Sequence, residues 1–500
     1  MKIIKRGRFV LAVAAAILVS GSVCACSTQE SSELLEGKKV ISQMQPQLPL
    51  QGGFTNTSQA TVQPGFDSPE GAVKGYLTGL RESNLKYMTD TFSESMEIDD
   101  IMRQYAILCG FDLGEEGPVS LKNPAEVKVF VDNLESGIKA VDLKSVKLAG
   151  FVDPGDLDDA YTNQKHQENL IKIAKRYGGD KMVSCVAAVE VDGRKFLLIF
   201  DVIRKEGRWF NRQLGGIFAN MSGMDRNEVG TLSLETADEQ ILKQMVPDFS
   251  KNLLEAETEH GALGSAVTNE EAGGFDSSQM AVRRYLEYLA ANEQDKMIGT
   301  FAVESYVDHF DFRTRLESSG GYIFMQQEFN FPAVTDFTRD LNIESRKNDI
   351  RWNLLEQYNA LGVFSEIDTA DLVQKEDLDV SFALSELQKR LNTSSLKILG
   401  YISPEKLSET YGSSNFQDIR RRRMKAYGAD DTESIAAVFE LNGARYIICI
   451  DTVKYENRWF IRELGGELSS LLGFDYRCAG IMPADYMKNP DIDSLISPLS

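Results

Sequence analysis

The chain contains the same segment twice. Residues 196–216 read FLLIFDVIRKEGRWFNRQLGG, and residues 446–466 read YIICIDTVKYENRWFIRELGG. The match extends upstream at a constant offset of 250, so residues 147–216 align with residues 397–466 without a gap. Solenoid repeats are only about 20–50 residues long, so a match of this length predicts two copies of a whole domain.

A second match precedes the first one. Residues 65–92 align with residues 274–301, here at an offset of 209. The second copy therefore carries about 41 extra residues between Phe310 and Leu391, and we expect them around the helical segment DIRWNLLEQYNALGVF.

These matches divide the chain into six parts. The prediction is a leader, a tether, a first domain, a linker with a short helix, a second domain with the insertion, and a tail, at residues 1–25, 26–64, 65–226, 227–273, 274–478 and 479–500.

Each copy has the same predicted order of helices and strands. Ser68 or Ser277 caps a first helix whose apolar residues keep helical spacing. More helix, one strand and a further helix follow, and three strands joined by tight turns complete the copy. Asp–Gly at 192–193 and Asn–Gly at 442–443 are strong signals for two-residue hairpins. Helices followed by such a meander predict an α+β fold.

The motifs SPEGAVKGYLTGL, DTFS and FLLIFDVIRKEGRWFNRQL carry a resemblance to a known family. In this order they resemble the NTF2-like (nuclear transport factor 2-like) domain found in bacterial lipoproteins. The resemblance covers most of both copies and implies two tandem cone-like domains, each with N-terminal helices packed on a curved antiparallel sheet. The family includes isomerases, dehydratases and members that only bind. The 41-residue insertion departs from its compact pattern.

The hairpins predict a polar row across each sheet. A two-residue loop at 192–193 places Ser184 opposite Asp201, and a two-residue loop at 206–207 places Asp201 opposite Arg212. The same arithmetic aligns three residues of the second copy, namely Ser434, Asp451 and Arg462. The predicted neighbours on that face are aliphatic: Val186, Leu197, Ile199, Leu214, Val438, Ile447 and Leu464.

The rows have two interpretations. In the structural one, a partly buried Asp–Arg pair fixes the strand register and Ser satisfies a spare carboxylate lone pair. In the functional one, the row is the polar floor of a pocket. A facing Arg would lower the Asp pKa, which is the wrong direction for a general base near neutral pH.

Two other repeated features are interpreted as scaffold. Trp209 and Trp459 fall on the opposite face, together with Phe200, and we expect them in the core. The glycines of the two LGG motifs follow a strand and lack the spacing of a phosphate-binding loop.

One helix breaks the symmetry between the copies. Its first-copy sequence is NLIKIAKRYG and its second-copy sequence is DIRRRRMKAYG, which replaces Leu170, Ile171 and Ile173 with arginines. The run Arg420, Arg421, Arg422 and Arg423 is either a solvated helix face or a docking patch for an envelope protein or an anionic polymer.

The N-terminus predicts export and lipidation. Basic residues precede the apolar run FVLAVAAAILVSGSV, which is too short for a membrane span and typical of a secretory signal. Val23, Ala25 and Cys26 resemble the lipobox of bacterial lipoproteins, in which that cysteine receives a diacylglycerol. The polar stretch after Cys26 is typical of a flexible tether. The alternative is ordinary secretion with cleavage nearby.

Composition excludes several functions. Removal of the leader takes away four basic residues and moves the formal charge from −21 to −25, which argues against binding of nucleic acid. With three His and no CxxC motif, the sequence predicts neither a metal site nor a cofactor. Cys185 and Cys449 are expected as buried thiols, and the spacing of Cys109 and Cys478 allows a disulfide between them without requiring it.

These observations lead to one functional prediction and two alternatives. The prediction is a lipoprotein anchored to the extracytoplasmic face of the cell membrane, a non-catalytic binding or assembly component of the cell envelope. The first alternative is an extracytoplasmic protein that binds a small ligand. The second is an enzyme that uses Asp201 or Asp451.

Overall fold

The computed structural model of the protein describes residues 65–93, 98–111, 123–224, 228–235, 247–254, 273–318, 332–373, 380–487 and 492–497. The predicted leader, the tether with Cys26, and much of the linker lie outside these described residues. Within the described ranges, no helix is both long enough and apolar enough to cross a membrane. The described residues, which begin at Gly65, form one compact unit.

The first copy begins with helices and ends with a meander. Its elements are α1 (Pro69–Arg81), α2 (Leu85–Asp90), α3 (Ile98–Leu108), α4 (Pro124–Ala140), β1 (Lys147–Val152), α5 (Pro154–Leu157), α6 (Gln164–Arg176), β2 (Lys181–Val191), β3 (Arg194–Lys205), β4 (Arg208–Leu214), α7 (Gly216–Met221) and β5 (Thr231–Ser233).

The second copy repeats this order with additional helices. Its elements are α8 (Ser278–Ala291), α9 (Gln294–Gly299), α10 (Glu304–His309), α11 (Phe312–Ser318), α12 (Asp336–Phe364), α13 (Ala370–Val373), α14 (Val380–Arg390), β6 (Lys397–Ile402), α15 (Pro404–Leu407), α16 (Ser414–Ala426), β7 (Asp431–Leu441), β8 (Ala444–Tyr455), β9 (Arg458–Leu464), α17 (Gly466–Leu472), β10 (Ile481–Pro483) and α18 (Ile492–Leu495).

Local signals place the first helix and the hairpins as predicted. Ser68 and Ser277 accept a backbone N–H at the starts of α1 and α8. The turn between β2 and β3 lies at Asp192 and Gly193, with φ of 49° and 74°, so both residues have the positive φ of a type I′ turn. The turn at 442–443 repeats this conformation. The α+β class is therefore confirmed.

Each copy contributes one antiparallel sheet. The strand order is β1-β2-β3-β4 in the first copy, and β5 also pairs with β3. In the second copy, β6, β7, β8 and β9 follow the same order, and β10 also pairs with β8. The fifth strands lie in segments that the sequence places in the linker and the tail. Each sheet therefore extends past the predicted domain ends at residues 226 and 478. The sequence did not reveal these strands because three residues are too few to show an alternating pattern.

Both faces of each sheet are covered. On one face of the first sheet, Val73 and Tyr76 of α1 pack with Phe200 of β3. On the other face, Leu170 of α6 and Phe218 of α7 pack against the sheet. The second sheet is covered in the same way by α8 on one face and by α17 on the other.

Two aliphatic residues lie on the face opposite to the predicted one. Leu214 and Leu464 belong to the cores beneath α1 and α8, not to the face of the polar rows. Each follows a β-bulge, and the extra residue reverses the side to which the next side chains point. Trp209 is buried in the core beneath α1, as predicted, whereas Trp459 is only partly buried.

A repeated hydrogen bond locates the insertion. Tyr76 Oη donates to Gln104 Oε1 at 2.7 Å, and Tyr285 Oη donates to Gln357 Oε1. Gln357 is thus the counterpart of Gln104, and RQYAIL at 103–108 matches EQYNAL at 356–361. The prediction that the insertion surrounds DIRWNLLEQYNALGVF is wrong, because that segment corresponds to α3. The extra residues precede it, in α10, α11 and the first half of α12.

The insertion joins the two copies. Phe337 and Leu341, near the start of α12, belong to the hydrophobic core of the first copy. Leu354 and Tyr358, further along the same helix, belong to the core of the second copy. Helix α11 packs on both α4 and α16. A 29-residue helix that contributes to both cores makes the copies one body.

The bridging role of α12 predicts where core mutations act. Leu341→Ala should destabilise the first copy, and Leu354→Ala the second, each by about 2–5 kcal/mol, because both side chains are fully buried. Hydrogen exchange of peptides from β2–β3 and β7–β8 of the purified protein distinguishes the effects. Faster exchange confined to β7–β8 in both variants would contradict the bridging role.

Candidate functional site

The Ser–Asp half of each predicted row is present. Ser184 lies opposite Asp201 and donates from Oγ to Oδ1 at 2.9 Å. Ser434 makes the same bond to Asp451 at 2.6 Å. Asp201 is fully buried and Asp451 nearly so. The backbone N–H of each Ser donates to a tyrosine hydroxyl, that of Tyr161 or Tyr411. In the first copy these buried hydrogen bonds connect β2, β3 and the segment before α6. In the second copy they connect β7, β8 and the segment before α16.

The second carboxylate oxygen of each Asp caps a helix. Asp201 Oδ2 accepts the N–H of Ile217 at 3.0 Å, and Asp451 Oδ2 accepts the N–H of Glu467 at 3.0 Å. These N–H groups are at the first turns of α7 and α17, where backbone donors lack intrahelical partners. The negative charge also suits the helix N-terminus. Each Asp thus ties its strand to the helix that follows the meander.

The cap explains the repeated LGG motif. Gly216 has a φ of 64°, and a Cβ at this position would overlap the Asp201 carboxyl group. Gly466 has the same conformation and the same neighbour, Asp451. The glycines do open a helix, which the sequence analysis did not predict. The protein's own carboxylate, not a phosphate, occupies its first turn.

The Arg register differs from the prediction. Gln213, not Arg212, lies opposite Asp201, because a β-bulge follows at Val202. The second sheet has the same bulge, and Glu463 lies opposite Asp451. The two-residue loop correctly predicts the residue pairs from the turn as far as Val202 and Asn211. Beyond the bulge, the pairs are shifted by one residue.

The arginines nevertheless approach the rows, and they do so differently in the two copies. Arg462 Nη2 donates to Asp451 Oδ2 at 2.7 Å, and its guanidinium lies 4.9 Å from the ring centre of Tyr427. The guanidinium of Arg212 stacks closely on Tyr177, at 3.7 Å, and its Nη1 donates to Gln213.

The predicted direction of the Asp201 pKa is wrong. Burial raises the pKa of Asp201 from 3.8 to about 6, although the Ile217 N–H, Ser184 and the charge of Arg212 each act to lower it. Desolvation of the charged form outweighs these contacts because the carboxyl group has no access to water. Ionisation of Asp201 therefore costs stability, and the fold loses that stability as the pH rises from about 4 through about 6.

Arginines of α16 enlarge the polar row of the second copy into a charge cluster. Arg423 Nη1 donates to Glu467 Oε1 at 2.9 Å, and Arg420 Nε lies 3.5 Å from Glu467 Oε2. Glu467 is 8% exposed, and its neighbour Asp451 is 7% exposed. Burial, followed by the charge of Asp451, raises the pKa of Glu467, which Arg423 and Arg462 oppose.

The predicted arginine patch is therefore divided. Arg420 and Arg423 pair with Glu467, whereas Arg421 is 62% exposed and pairs with Asp418. Arg422 is also exposed. A solvated face or docking patch can include only the two middle arginines.

The first copy has apolar residues at the positions of the cluster. Arg420, Arg423 and Glu467 correspond to Leu170, Ile173 and Ile217, which pack together beneath the first sheet. Sequence reasoning missed Glu467. Its signal was present at the offset of 250, where one acid and two bases replace three aliphatic residues together.

A small crevice adjoins the cluster. Its volume is about 10 Å³, which is room for about one water molecule. Six charged residues and one aromatic ring lie in its lining, namely Arg420, Arg423, Arg462, Glu433, Asp451, Glu467 and Tyr427.

Two further observations concern metal ligands and thiols among the described residues. No group of three His, Cys, Asp or Glu side chains in these ranges is arranged to hold a metal ion. Cys109 and Cys478 are free thiols and do not form the possible pair, and burial raises their pKa to about 12 and about 11. Cys185 and Cys449 are buried thiols, as predicted.

Comparisons with known proteins identify no family. No family model matches the sequence, and no curated protein matches it. Among solved structures, a cystatin-like protein from Ruminococcus gnavus ATCC 29149 aligns over 83% of this chain and 92% of its own, with 12% identity and a TM-score of 0.41. A likeness at this level carries no argument about the fold or the function of the chain.

The contact between LGG and Asp predicts a large effect of one methyl group. Gly216→Ala should lower the free energy of unfolding by about 2–5 kcal/mol, because strain from positive φ adds to overlap with Asp201. The control is Gly207→Ala, where φ is 80° and no atom lies within 4 Å, so only the strain of about 1–2 kcal/mol applies. Equal losses in urea denaturation would contradict the close contact.

The aliphatic residues of the first copy predict how the second copy responds when its charge cluster is replaced. The triple variant Arg420→Leu, Arg423→Ile and Glu467→Ile should be as stable as the wild type or more stable, because well-packed apolar groups commonly replace buried ion pairs without loss. The single variant Glu467→Ile should lose about 2 kcal/mol, since it leaves two arginines without their carboxylate. Urea denaturation at pH 7 compares the two. A triple variant less stable than the single one would show that the cluster is required for folding.

Proposed function

We propose that the protein is a non-catalytic binding or assembly component of the cell envelope, anchored to the extracytoplasmic face of the membrane through lipid on Cys26. Its folded part consists of two NTF2-like modules in this proposal. The helices packed on one face of each antiparallel sheet support that assignment.

The observation that carries the proposal is the internal engagement of both Asp carboxylates. Each accepts one bond from a Ser hydroxyl and one from a helix N–H. A general base needs a carboxylate that can approach a substrate proton. Asp201 and Asp451 are instead used to connect strands to helices, so the rows support a scaffold rather than a reaction.

The shared helix α12 supports an assembly role. It contributes Leu341 to one core and Leu354 to the other, so the two copies present their surfaces in a fixed relation. A rigid pair of modules is suited to hold a partner at two points.

The two alternatives have different support. Binding of a small ligand is favoured by the crevice of the second copy, where Arg420, Arg423 and Glu467 take the positions of aliphatic residues of the first copy. Its enclosed part fits a group of the size of water, so a larger ligand would have to displace Glu467 or Arg423. An enzyme using Asp201 or Asp451 would have to release that carboxylate from the helix it caps.

Metabolic labelling tests the anchor. The full-length chain, expressed in a Gram-positive bacterium with radiolabelled palmitate, should incorporate label, and Cys26→Ala should abolish it. Cys24→Ala is the matched control and should retain the label, because cleavage before Cys24 would use the poorer box GSVC. Loss of label only in Cys24→Ala would move the anchor to that residue. An unlabelled wild-type protein would overturn lipid anchoring.

A further inference from the structure

The turn between β7 and β8 contains the one Asn–Gly sequence of the chain, at residues 442–443. Both residues are exposed, and their φ angles are 51° and 83°. A Cβ at Gly443 would meet no atom of the described residues within 4 Å, so none of these residues packs on the tip of the hairpin. The turn can therefore open locally without disturbing the core beneath it.

This sequence allows a reaction between neighbouring groups of the chain. The backbone nitrogen of Gly443 can form a bond to Cγ of Asn442 and pass its proton to Nδ2, which leaves as ammonia. Water then opens the resulting cyclic imide, at Cγ to give aspartate or at the backbone carbonyl to give isoaspartate. Glycine favours the attack because it has no side chain to hinder the nitrogen and because its backbone rotates freely.

The first copy already has aspartate at the corresponding position, 250 residues earlier. Asp192 begins a turn of the same kind, with a φ of 49°. Its Oδ2 accepts the N–H of Asp142 at 2.8 Å, and its Oδ1 lies 3.1 Å from Ser145 Oγ. Ser145 Oγ also accepts the N–H of Asp192 at 2.8 Å. A carboxylate therefore fits this hairpin and has hydrogen-bond donors around it.

The second copy surrounds Asn442 in a similar way. Ser395, the counterpart of the first-copy serine, donates from Oγ to Asn442 Oδ1 at 2.6 Å and accepts the N–H of Asn442 at 3.1 Å. Asn442 Nδ2, the group that would leave, donates to the carbonyl oxygen of Asn392 at 3.4 Å, which is longer than a normal N–H···O bond. Loss of this amide group thus costs one weak hydrogen bond.

We propose that Asn442 is a site of spontaneous deamidation in the folded protein, and that its aspartate product takes the position that Asp192 has in the first copy. The product keeps the bond from Ser395, and a charged acceptor makes that bond stronger. Asn392 corresponds to Asp142, so its N–H is the donor expected to face the new carboxylate. The conversion adds one negative charge to the molecule and makes the two hairpins alike.

Peptide mass spectrometry of the purified full-length protein, incubated at pH 6 and pH 9, measures the exchange of an amide for a carboxyl group. Residue 442 should convert, and faster at pH 9, because base removes the proton of the attacking nitrogen. Asn457 is the internal control. It is exposed in the next turn with a φ of 67°, but Arg458 follows it instead of glycine. Most of residue 442 should convert before any conversion of Asn457 is detected.

Two reciprocal variants exchange the turns of the copies. Asp192→Asn creates an Asn–Gly sequence in the first copy, and residue 192 should then convert as residue 442 does. Asn442→Asp should show no mass change in the second hairpin. It should also unfold at the same urea concentration as the wild type or at a higher one, because the first copy has this residue in the same surroundings.

Three results would overturn the inference. Residue 442 could remain an amide in the folded protein, and its conversion in the unfolded chain would then show that the turn prevents the attack. Asn457 could convert as fast as Asn442, so that exposure alone would account for the reaction. Asn442→Asp could unfold at a clearly lower urea concentration than the wild type, which would mean that the hairpin does not accept the product.

Discussion

A buried aspartate connects the parts of each copy. Asp201 and Asp451 accept a Ser hydroxyl from the neighbouring strand and an N–H from the helix that follows the meander. The LGG turn must bring that helix against the carboxylate, and only glycine leaves space there. The strands, the turn and the helix thus depend on one carboxylate. This dependence accounts for the strong similarity of the two copies between the second hairpin and the LGG motif.

The copies differ in how they accommodate the buried charge. In the second, Arg462 pairs with Asp451, and two arginines of α16 pair with Glu467. In the first, aliphatic residues take the positions of Arg420, Arg423 and Glu467, and burial raises the pKa of Asp201 to about 6 although the charge of Arg212 opposes this. The same hydrogen-bonded aspartate therefore lies beside aliphatic residues in one copy and beside an ion-pair cluster in the other. Because the first copy has aliphatic residues at the positions of the cluster, we expect that folding of the second copy does not require the charges.

The sequence was sufficient for the fold class, the hairpins and the Ser–Asp contacts, because these follow from turn residues and two-residue alternation. It was not sufficient for the Arg register, since a bulge leaves no mark in the pattern of hydrophobic residues. The pKa of Asp201 was predicted in the wrong direction because the opposing Arg was weighed and the depth of burial was not. Glu467 was missed because its partners lie on another helix. The insertion was misplaced because the match between Gln104 and Gln357 is short.

The most direct test is the free energy of unfolding of Asp201→Asn and Asp451→Asn at pH 7. Asparagine retains the shape and one acceptor. Asp451→Asn removes the buried carboxylate partner of Arg462 and leaves it the more exposed Glu463, so it should cost about 3 kcal/mol. Asp201→Asn removes a charge whose burial is unfavourable, so it should cost at most about 1 kcal/mol or increase stability. Equal large losses would contradict the account, because they would mean that both carboxylates are stabilised by charge in the same way.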